Sequence, residues 1–290
     1  MIVTPVQAAE ISTSEVYFQA QRIVREIKLL HEHFHIPVQL TRPEPFKAAL
    51  HPRQVWQKSY FILVKLNVFR AKNALPAIPP SAMEPVLHLD PALVYEQTQR
   101  VLTEIAIIKK RLDIEGSIEE PTLVIGKRPI DAFNKLHEAS LAMEVLNEEV
   151  ISPSHVFAEV MRIFEDVSTV LARLNLEDTS FPPAKLAAVK PKKSLIATFD
   201  LMQEIQRLQR DLGIPRTDFS AFHKKSGVAP DDVFNMVGMS LAELQTIKAS
   251  LELTRTITPP ARIHEAKTPA EVHQLLQWII RKLRLIQQLR

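Results

Sequence analysis

Cysteine is absent from this chain of 290 residues, and only five residues are glycine. The lack of cysteine excludes disulfides, thiolate nucleophiles, thiolate-bound metals and covalently attached c-type haem. The shortage of glycine argues against phosphate-binding loops and against most α/β enzyme architectures, which place glycine where the backbone approaches phosphate. No stretch of 18 apolar residues occurs, so the sequence predicts a soluble protein without a transmembrane segment, in either the cytoplasm or the periplasm.

Neither positive nor negative residues predominate in the chain. The chain has 36 Lys and Arg residues against 33 Asp and Glu residues, and its formal net charge is +3. The two signs are mixed along the whole sequence, which gives no strong signal for a nucleic-acid partner.

A helical repeat runs through the chain. Its clearest copy spans residues 90–114, where Asp90 offers an N-cap, Pro91 takes the first helical position and apolar side chains form one stripe. If Val94 is the anchor of this copy, equivalent anchors recur every 38 or 39 residues, apart from one interval of 24. The eight anchors are Val16, Val55, Val94, Ala132, Val156, Ser194, Val233 and Val272.

Seven of the eight copies carry a proline three residues before the anchor. The first copy instead pairs Ser12 with Glu15 in a capping box, and Thr268 and Glu271 do the same in the last copy. These signals predict an all-α protein of eight long helices. The seven prolines are Pro52, Pro91, Pro129, Pro153, Pro191, Pro230 and Pro269.

The interval of 24 residues divides the repeat into two halves that align with each other at an offset of 139 or 140 residues. This internal duplication predicts two homologous four-helix units, residues 1–151 and 152–290, arranged as a pair of bundles or as a solenoid-like array. Residues 1–12 resemble the stretch before the last helix. We therefore expect them to be the tail of a preceding repeat or a linker. If they are such a tail, either an upstream repeat was lost or the chain is a piece of a longer repeat protein.

The connectors between helices are long and partly apolar. We expect their side chains Phe46, Leu123, Ile125, Leu186 and Ile263 to pack across the helices. The repeated aromatic residue directly after six of the anchors, such as Tyr17 and Phe157, is the expected contact for these connectors. Since most connections join spatial neighbours, we predict antiparallel helices with the connectors folded over the bundle ends.

Two groups of residues have the chemistry of a metal or haem site. His31 and His35 lie four residues apart, a spacing that can chelate a metal, but they also end a helix, where imidazolium is favoured electrostatically. Methionines such as Met143 and Met202 occupy stripe positions that Leu or Ile fill in other copies, which favours a role in the core. We therefore predict no catalytic, cofactor-binding or metal-binding residues, and no cofactor.

Basic residues cluster in the last helix, where Arg281, Lys282, Arg284 and Arg290 flank an apolar stripe, and around Lys192 and Lys224. A basic amphipathic helix can contact an anionic membrane or nucleic acid. We favour a solvated face, and we regard the last helix as the best candidate for self-association.

The repeat and the lack of active-site motifs favour a non-enzymatic scaffold that binds another protein or itself. The alternative is a sensor or carrier of a small molecule held inside a bundle. Small polar residues interrupt the apolar stripe, and a buried polar group requires a partner, in a ligand or in a carbonyl of its own helix. RNA binding is a third hypothesis. The interrupting residues are Ser59, Asn73, Thr98, Ser194, Thr198 and Ser240.

Overall fold

The computed structural model describes residues 10–37, 43–148, 151–223 and 227–286. Within these residues the chain forms eight α-helices and one 3₁₀ turn, with one isolated β-bridge between Met83 and Thr258. The prediction of an all-α protein with eight long helices is confirmed. The helices are α1 (Thr13–His33), α2 (Pro52–Lys72), α3 (Pro91–Arg111), α4 (Pro129–Asn147), α5 (Pro153–Arg173), α6 (Pro191–Asp211), α7 (Pro230–Ser250) and α8 (Pro269–Leu285).

Every helix begins where the repeat predicts. The seven prolines are the first residues of α2 to α8, where a missing N–H removes no intrahelical hydrogen bond. Helix α1 begins after Ser12, which forms the predicted capping box with Glu15, and Thr268 forms the same arrangement with Glu271 at α8. The predicted tail in residues 1–12 lies mostly outside the described residues.

Six helices end in the same way. The residue two positions beyond the helix end adopts a left-handed backbone conformation, and the next N–H donates to a carbonyl five residues back. This is a Schellman ending, and the residue that makes the last bond is the repeated Ile or Leu of the connector. Glycine takes the left-handed position in only one case, although other residues are strained there. The left-handed residues are His35, Ala74, Asp113, Asn175, Gly213 and Glu252.

The helices pack in two sets of four. Helices α1 and α2 each contact both α3 and α4, and α5 and α6 each contact both α7 and α8. Consecutive helices such as α1 and α2 therefore lie diagonally across a bundle. Helices α2 and α7 form the main contact between the two bundles. The exact boundary of the two units, at residues 151 and 152, stays a prediction.

All four helices of a bundle run in the same direction, so the prediction of antiparallel neighbours is wrong. In the first bundle, the Lys127 N–H before α4 donates to Ser14 Oγ at the start of α1 over 3.2 Å. In the second bundle, the starts of all four helices surround one small space. Each connector within a bundle returns along it, because a helix of 21 residues is about 31 Å long and a connector of 17 residues can span that length.

The connectors are attached mainly through their backbone. Asn67 in α2 bonds both the N–H and the carbonyl oxygen of Ile78, each at 2.8 Å. Asn134 in α4 holds Phe46 in the same way, at 2.9 and 3.1 Å. Phe46 packs on the core as predicted, and the Lys127 amine lies over the ring of Tyr17.

The other four predicted connector contacts are wrong. The side chains are exposed because the backbone bonds fix the connectors without requiring them to turn inward. They are Leu123, Ile125, Leu186 and Ile263, with exposed fractions of 43, 75, 36 and 52%.

A ring of polar contacts crosses the first bundle, part of it recurs in the second bundle, and we call it the polar girdle. Its members lie ten or fifteen residues after the anchors. In the first bundle each residue at position 15 bonds the residue at position 10 of a neighbouring helix, and the four bonds close a ring. They join His31 Nε2 to the Ala142 carbonyl oxygen (2.8 Å), Asn147 to the Lys65 carbonyl oxygen (3.0 Å), Arg70 to Glu104 (3.1 Å) and Lys109 to Glu26 (2.9 Å).

The second bundle repeats part of this girdle. Gln209 donates to Glu243 over 2.6 Å, and Lys248 donates to Asp166 over 2.6 Å. Because the helix starts lie side by side, each of these bonds reaches across five residues between neighbouring helices. The girdle therefore holds the parallel helices in register.

The two bundles meet where α2 crosses α7 in antiparallel orientation, and we call this contact the seam. Arg53 of α2 pairs with Glu243 of α7 at 2.9 Å, and Lys65 of α2 pairs with Asp231 of α7 at 2.5 Å. Each pair joins a position two residues before one anchor to a position ten residues after the other. Gly238 permits the close approach, because a Cβ there would lie 2.6 Å from Nε2 of a glutamine side chain in α2.

Replacing Ala74 by glycine should raise the free energy of unfolding by about 1 kcal/mol, because glycine adopts the left-handed conformation without a Cβ clash. Ala71→Gly is the matched control, since it makes the same change at an exposed position inside α2. That control should lower stability by about 1 kcal/mol. Urea unfolding followed by circular dichroism measures both changes. An Ala74→Gly protein no more stable than wild type would contradict the Schellman ending.

Arg53→Met should lower the free energy of unfolding by about 3 kcal/mol, because it leaves the buried Glu243 carboxylate without its cation. The double variant Arg53→Met/Glu243→Met should lose less than the sum of the two single variants. Lys28→Met is the control, and its half-exposed pair with Glu138 should contribute less than about 0.5 kcal/mol. Additive losses in urea unfolding would show that the seam pair is not coupled.

Candidate functional site

The two histidines of the proposed metal spacing are not brought together. His31 is fully buried and donates from Nε2 to the Ala142 carbonyl oxygen as part of the polar girdle. His35 is exposed at the left-handed position after α1. The described residues contain no group of three or more His, Asp or Glu side chains that could hold a metal. Met143 and Met202 are buried in the hydrophobic core.

The polar residues of the stripe do not define a ligand site inside a bundle. Five of the six donate to a carbonyl oxygen of their own helix, at 2.7 to 2.9 Å. Only Ser194 Oγ lacks a partner among the described residues, and it lies beside the small space between the helix starts of the second bundle. Most of the buried polar residues that suggested an internal ligand are therefore satisfied by carbonyl oxygens of their own helices.

The basic face of α8 is not fully solvated, which corrects that prediction. Lys282 is 2% exposed, pairs with Asp178, and lies 4.2 Å from the ring centre of Phe164. Arg284 pairs with Glu204 at 2.7 Å. Arg290, Lys224 and Lys225 lie outside the described residues. Self-association through α8 stays a prediction.

The strongest candidate for a binding site lies between the bundles. This inter-bundle cleft has a volume of about 620 Å³, within the range of small-molecule sites. The first connector and the α6–α7 connector border the cleft, and helices α2, α4 and α7 form its floor. Its residues include Glu44, Phe46, Lys47, Lys58, Phe61, His137, Leu141, Glu144, Phe222, His223, Asp231, Asp232, Asn235 and Met236.

Aromatic rings from both bundles meet in the wall of this cleft. Phe46 of the first connector stacks on Phe222 of the α6–α7 connector, with ring centres 4.5 Å apart. Phe133 contacts both rings edge-on, at 5.9 and 5.7 Å. Phe61 of α2, which also lines the cleft, stacks on Phe234 of α7 at 4.5 Å. The aromatic part of the wall is thus made by elements of both bundles, and half of the lining residues are polar or charged.

Lys58 lies in the floor of the cleft and is 3% exposed. Its amine donates to Asn235 Oδ1 over 3.3 Å, and it lies 4.7 and 5.8 Å from the ring centres of Phe61 and Phe133. Among the described residues, no carboxylate forms an ion pair with this amine. Lys58 is therefore a buried cation held by one long hydrogen bond and by aromatic faces.

The carboxylates nearby are bound to a different lysine. Lys65 pairs with Asp231 and with Glu144, and it also donates to the Ser140 carbonyl oxygen over 3.1 Å. Glu144 and Asp231 share a hydrogen bond. The Asp232 carboxylate accepts the Ala229 N–H over 2.7 Å at the start of α7.

Burial changes the acidity of both groups. It lowers the pKa of Lys58 to about 7, together with repulsion from Lys65, although Asp231, Glu144 and Asp232 act in the opposite direction. Burial and the hydrogen bond with Asp231 raise the pKa of Glu144 to about 7, against the attraction of Lys65. Groups that change charge near neutral pH in a cleft are a frequent mark of functional sites.

A second cleft of about 340 Å³ lies near the start of α2. Its principal charged groups already have partners, since Arg53 pairs with Glu243 and Arg100 donates to Ser81 over 2.8 Å. It offers fewer groups for a ligand than the inter-bundle cleft.

Comparison with protein-family models, with curated proteins and with solved structures finds no match to this chain. In the described part of the chain, no helix is both long enough and apolar enough to cross a membrane. The function must therefore be inferred from the geometry of the clefts and surfaces.

The cleft was not predicted from the sequence, although a signal for it was present. Residues 60–64 of helix α2 form an apolar run that covers every side of the helix, and Lys58 and Lys65 flank this run. A helix that is hydrophobic all round is buried, so a lysine on it must also be buried. The partner helix and the connectors that complete the cleft could not be identified in this way.

Replacing Lys58 by methionine should stabilise the protein most below pH 7, where the buried amine is protonated in both the folded and the unfolded state. As the pH rises above 7, the folded state loses this proton before the unfolded state does. The advantage of Lys58→Met should then shrink by up to about 1.4 kcal/mol per pH unit. Urea unfolding at pH 5 to 9 measures the trend, and the exposed Lys47→Met is the control. A pH-independent difference would contradict the lowered pKa.

Glu144→Gln should show the opposite trend, because its pKa is raised in the folded state. Wild type should lose stability relative to Glu144→Gln as the pH rises from 4.5 to 7, with no further change above 7. Urea unfolding of wild type and Glu144→Gln across this pH range measures the difference in the free energy of unfolding. A difference that stays flat between pH 4.5 and 7 would contradict the raised pKa.

Proposed function

We propose that this protein is a non-enzymatic carrier or sensor that binds a small molecule in the inter-bundle cleft. The observation that carries the proposal is a space of about 620 Å³ with aromatic walls and a buried amine in its floor. Concave sites of this size, mostly apolar and with a few converging polar groups, are typical of ligand sites. The proposed position differs from the sequence hypothesis, which placed the ligand inside a bundle.

The destabilising effect of the buried Lys58 amine on the folded protein supports the proposal. A buried cation without a carboxylate partner destabilises a protein, and an apolar side chain of similar size would be more stable there. Residues that destabilise the fold are expected where function requires them. The non-enzymatic part of the proposal is supported by Glu144, whose hydrogen bonds to Lys65 and Asp231 already engage it in structural contacts.

Saturable binding of Nile red, a neutral aromatic dye, tests the proposal. The dye should bind wild type with a stoichiometry of one, and Leu141→Trp should abolish this binding because the indole fills the cleft. Val145→Trp is the matched control, since it makes a similar change one turn further along α4 at an exposed position that does not line the cleft. Dye fluorescence and native mass spectrometry give affinity and stoichiometry.

The outcomes separate clearly. Binding to wild type and Val145→Trp but not to Leu141→Trp supports the cleft as the site. Equal binding to all three proteins, or no saturable binding to wild type, would contradict the proposal. Circular dichroism verifies that both tryptophan variants remain folded.

The scaffold hypothesis remains a second candidate because apolar connector residues are exposed. Leu123, Val124 and Ile125 are consecutive and exposed, and Ile263 is exposed at the position equivalent to Leu123 in the second unit. Contiguous apolar surface is a frequent mark of protein contacts. We propose self-association through these connectors as the form of this function.

Sedimentation velocity tests self-association. Wild type should form a dimer at micromolar concentration, and Leu123→Ser/Ile125→Ser should be monomeric, because the change removes apolar area from the contact. Thr122→Ser is the control on the same connector. A monomeric wild type at 100 times that concentration would exclude this form of the scaffold function.

A further inference from the structure

Lys58 is a cation whose environment lacks a counterion. It is 3% exposed, and its one hydrogen-bond partner is the amide oxygen of Asn235 at 3.3 Å, near the long end of the range for such bonds. A lysine ammonium has three donors. At least one of them therefore has no strong acceptor among the described residues.

The surrounding acids do not supply the missing acceptor. Asp231 and Glu144 are bound to Lys65, and Asp232 accepts the N–H at the start of α7. These carboxylates do attract the Lys58 charge from a distance. They also repel anions, so a ligand with two or more negative charges is disfavoured.

The cleft therefore favours a ligand that has two features, an apolar body and a group that accepts hydrogen bonds. Its wall offers the rings of Phe46, Phe61 and Phe222 together with Met236, which suits an apolar or aromatic body. Its floor offers the Lys58 amine beside the Asn235 amide, whose NH₂ group is a second donor. Two adjacent donors can bind both oxygens of one carboxylate group.

Resting on the proposed function, we propose that the ligand is an apolar monocarboxylate whose carboxylate pairs with Lys58. The carboxylate completes the hydrogen bonds of the amine and neutralises its charge, while the apolar body displaces water from the aromatic wall.

Three naphthalene probes that differ only in their polar group test this inference on the full-length chain. They are 2-naphthoate, the neutral 2-naphthamide and the cationic 2-naphthylmethylammonium. Isothermal titration calorimetry at pH 6.5 should show naphthoate binding wild type at least tenfold more tightly than naphthamide, and naphthylmethylammonium binding most weakly.

Three variants identify the group that recognises the anion. Lys58→Met should bind naphthamide as wild type does but lose the preference for naphthoate. Asn235→Asp should also lose the preference for naphthoate, because the new carboxylate forms an ion pair with Lys58 in place of the ligand. Lys47→Met is the matched control, since this lysine is an exposed member of the same cleft, and it should keep at least half of the preference.

Each outcome bears on the inference. Equal affinity of wild type for naphthoate and naphthamide would overturn it and leave the proposed function standing, as would a preference for the cation. Loss of the naphthoate preference in Lys47→Met but not in Lys58→Met would also overturn it, because the rim would then provide the charge. If no naphthalene probe binds wild type although Nile red does, the inference fails and the proposed function stands, and if Nile red does not bind either, both fail. Naphthamide binding verifies that each variant is folded.

Discussion

The polar girdle is the constraint on which the rest of the structure depends. Apolar stripes alone allow neighbouring helices to slide or to reverse, because hydrophobic contact has little directional preference. A bond from position 15 of one helix to position 10 of the next is different, since it holds the two helices in one register. Lys109 to Glu26 and Arg70 to Glu104 make such bonds with charged groups, and losing either partner would leave a partly buried charge without compensation.

The girdle residues of α2 and α7 also connect the two bundles. Lys65 and Glu243 serve their own bundle and in addition pair with Asp231 and Arg53 across the seam. One set of side chains therefore sets the register inside a bundle and the position of one bundle on the other. The seam places cations on α2 and anions on α7, and the inter-bundle cleft opens beside it. Lys58 belongs to the same basic face, but among the described residues no carboxylate pairs with it, so the charge pattern that joins the bundles leaves this cation without a counterion.

Much of the fold could be predicted from the sequence, because its signals are local. Prolines and caps marked every helix start, and the apolar stripe marked the buried face. Helix direction was predicted wrongly because the stripe carries no information about direction, and a connector of this length permits either direction. Ile125 was expected to be buried because its connector is partly apolar, but that connector is held by backbone contacts such as the Lys127 N–H with Ser14 Oγ, and the Ile125 side chain is exposed. The cleft could not be predicted, because Phe46, Lys58 and Phe222 meet there only after both bundles have assembled.

Distance measurement by double electron–electron resonance tests the parallel, in-register bundle most directly, and the absence of native cysteine makes site-specific labelling simple. Labels at the exposed positions of Arg210 and Arg284 lie in the last turns of the neighbouring helices α6 and α8. Labels at Lys193 and Arg284 join the start of α6 to the end of α8. Parallel helices predict that the second pair is longer by roughly 10 to 20 Å, given a rise of about 1.5 Å per residue and the spread of the labels. A first pair that is longer than the second would contradict the parallel bundle and the girdle with it.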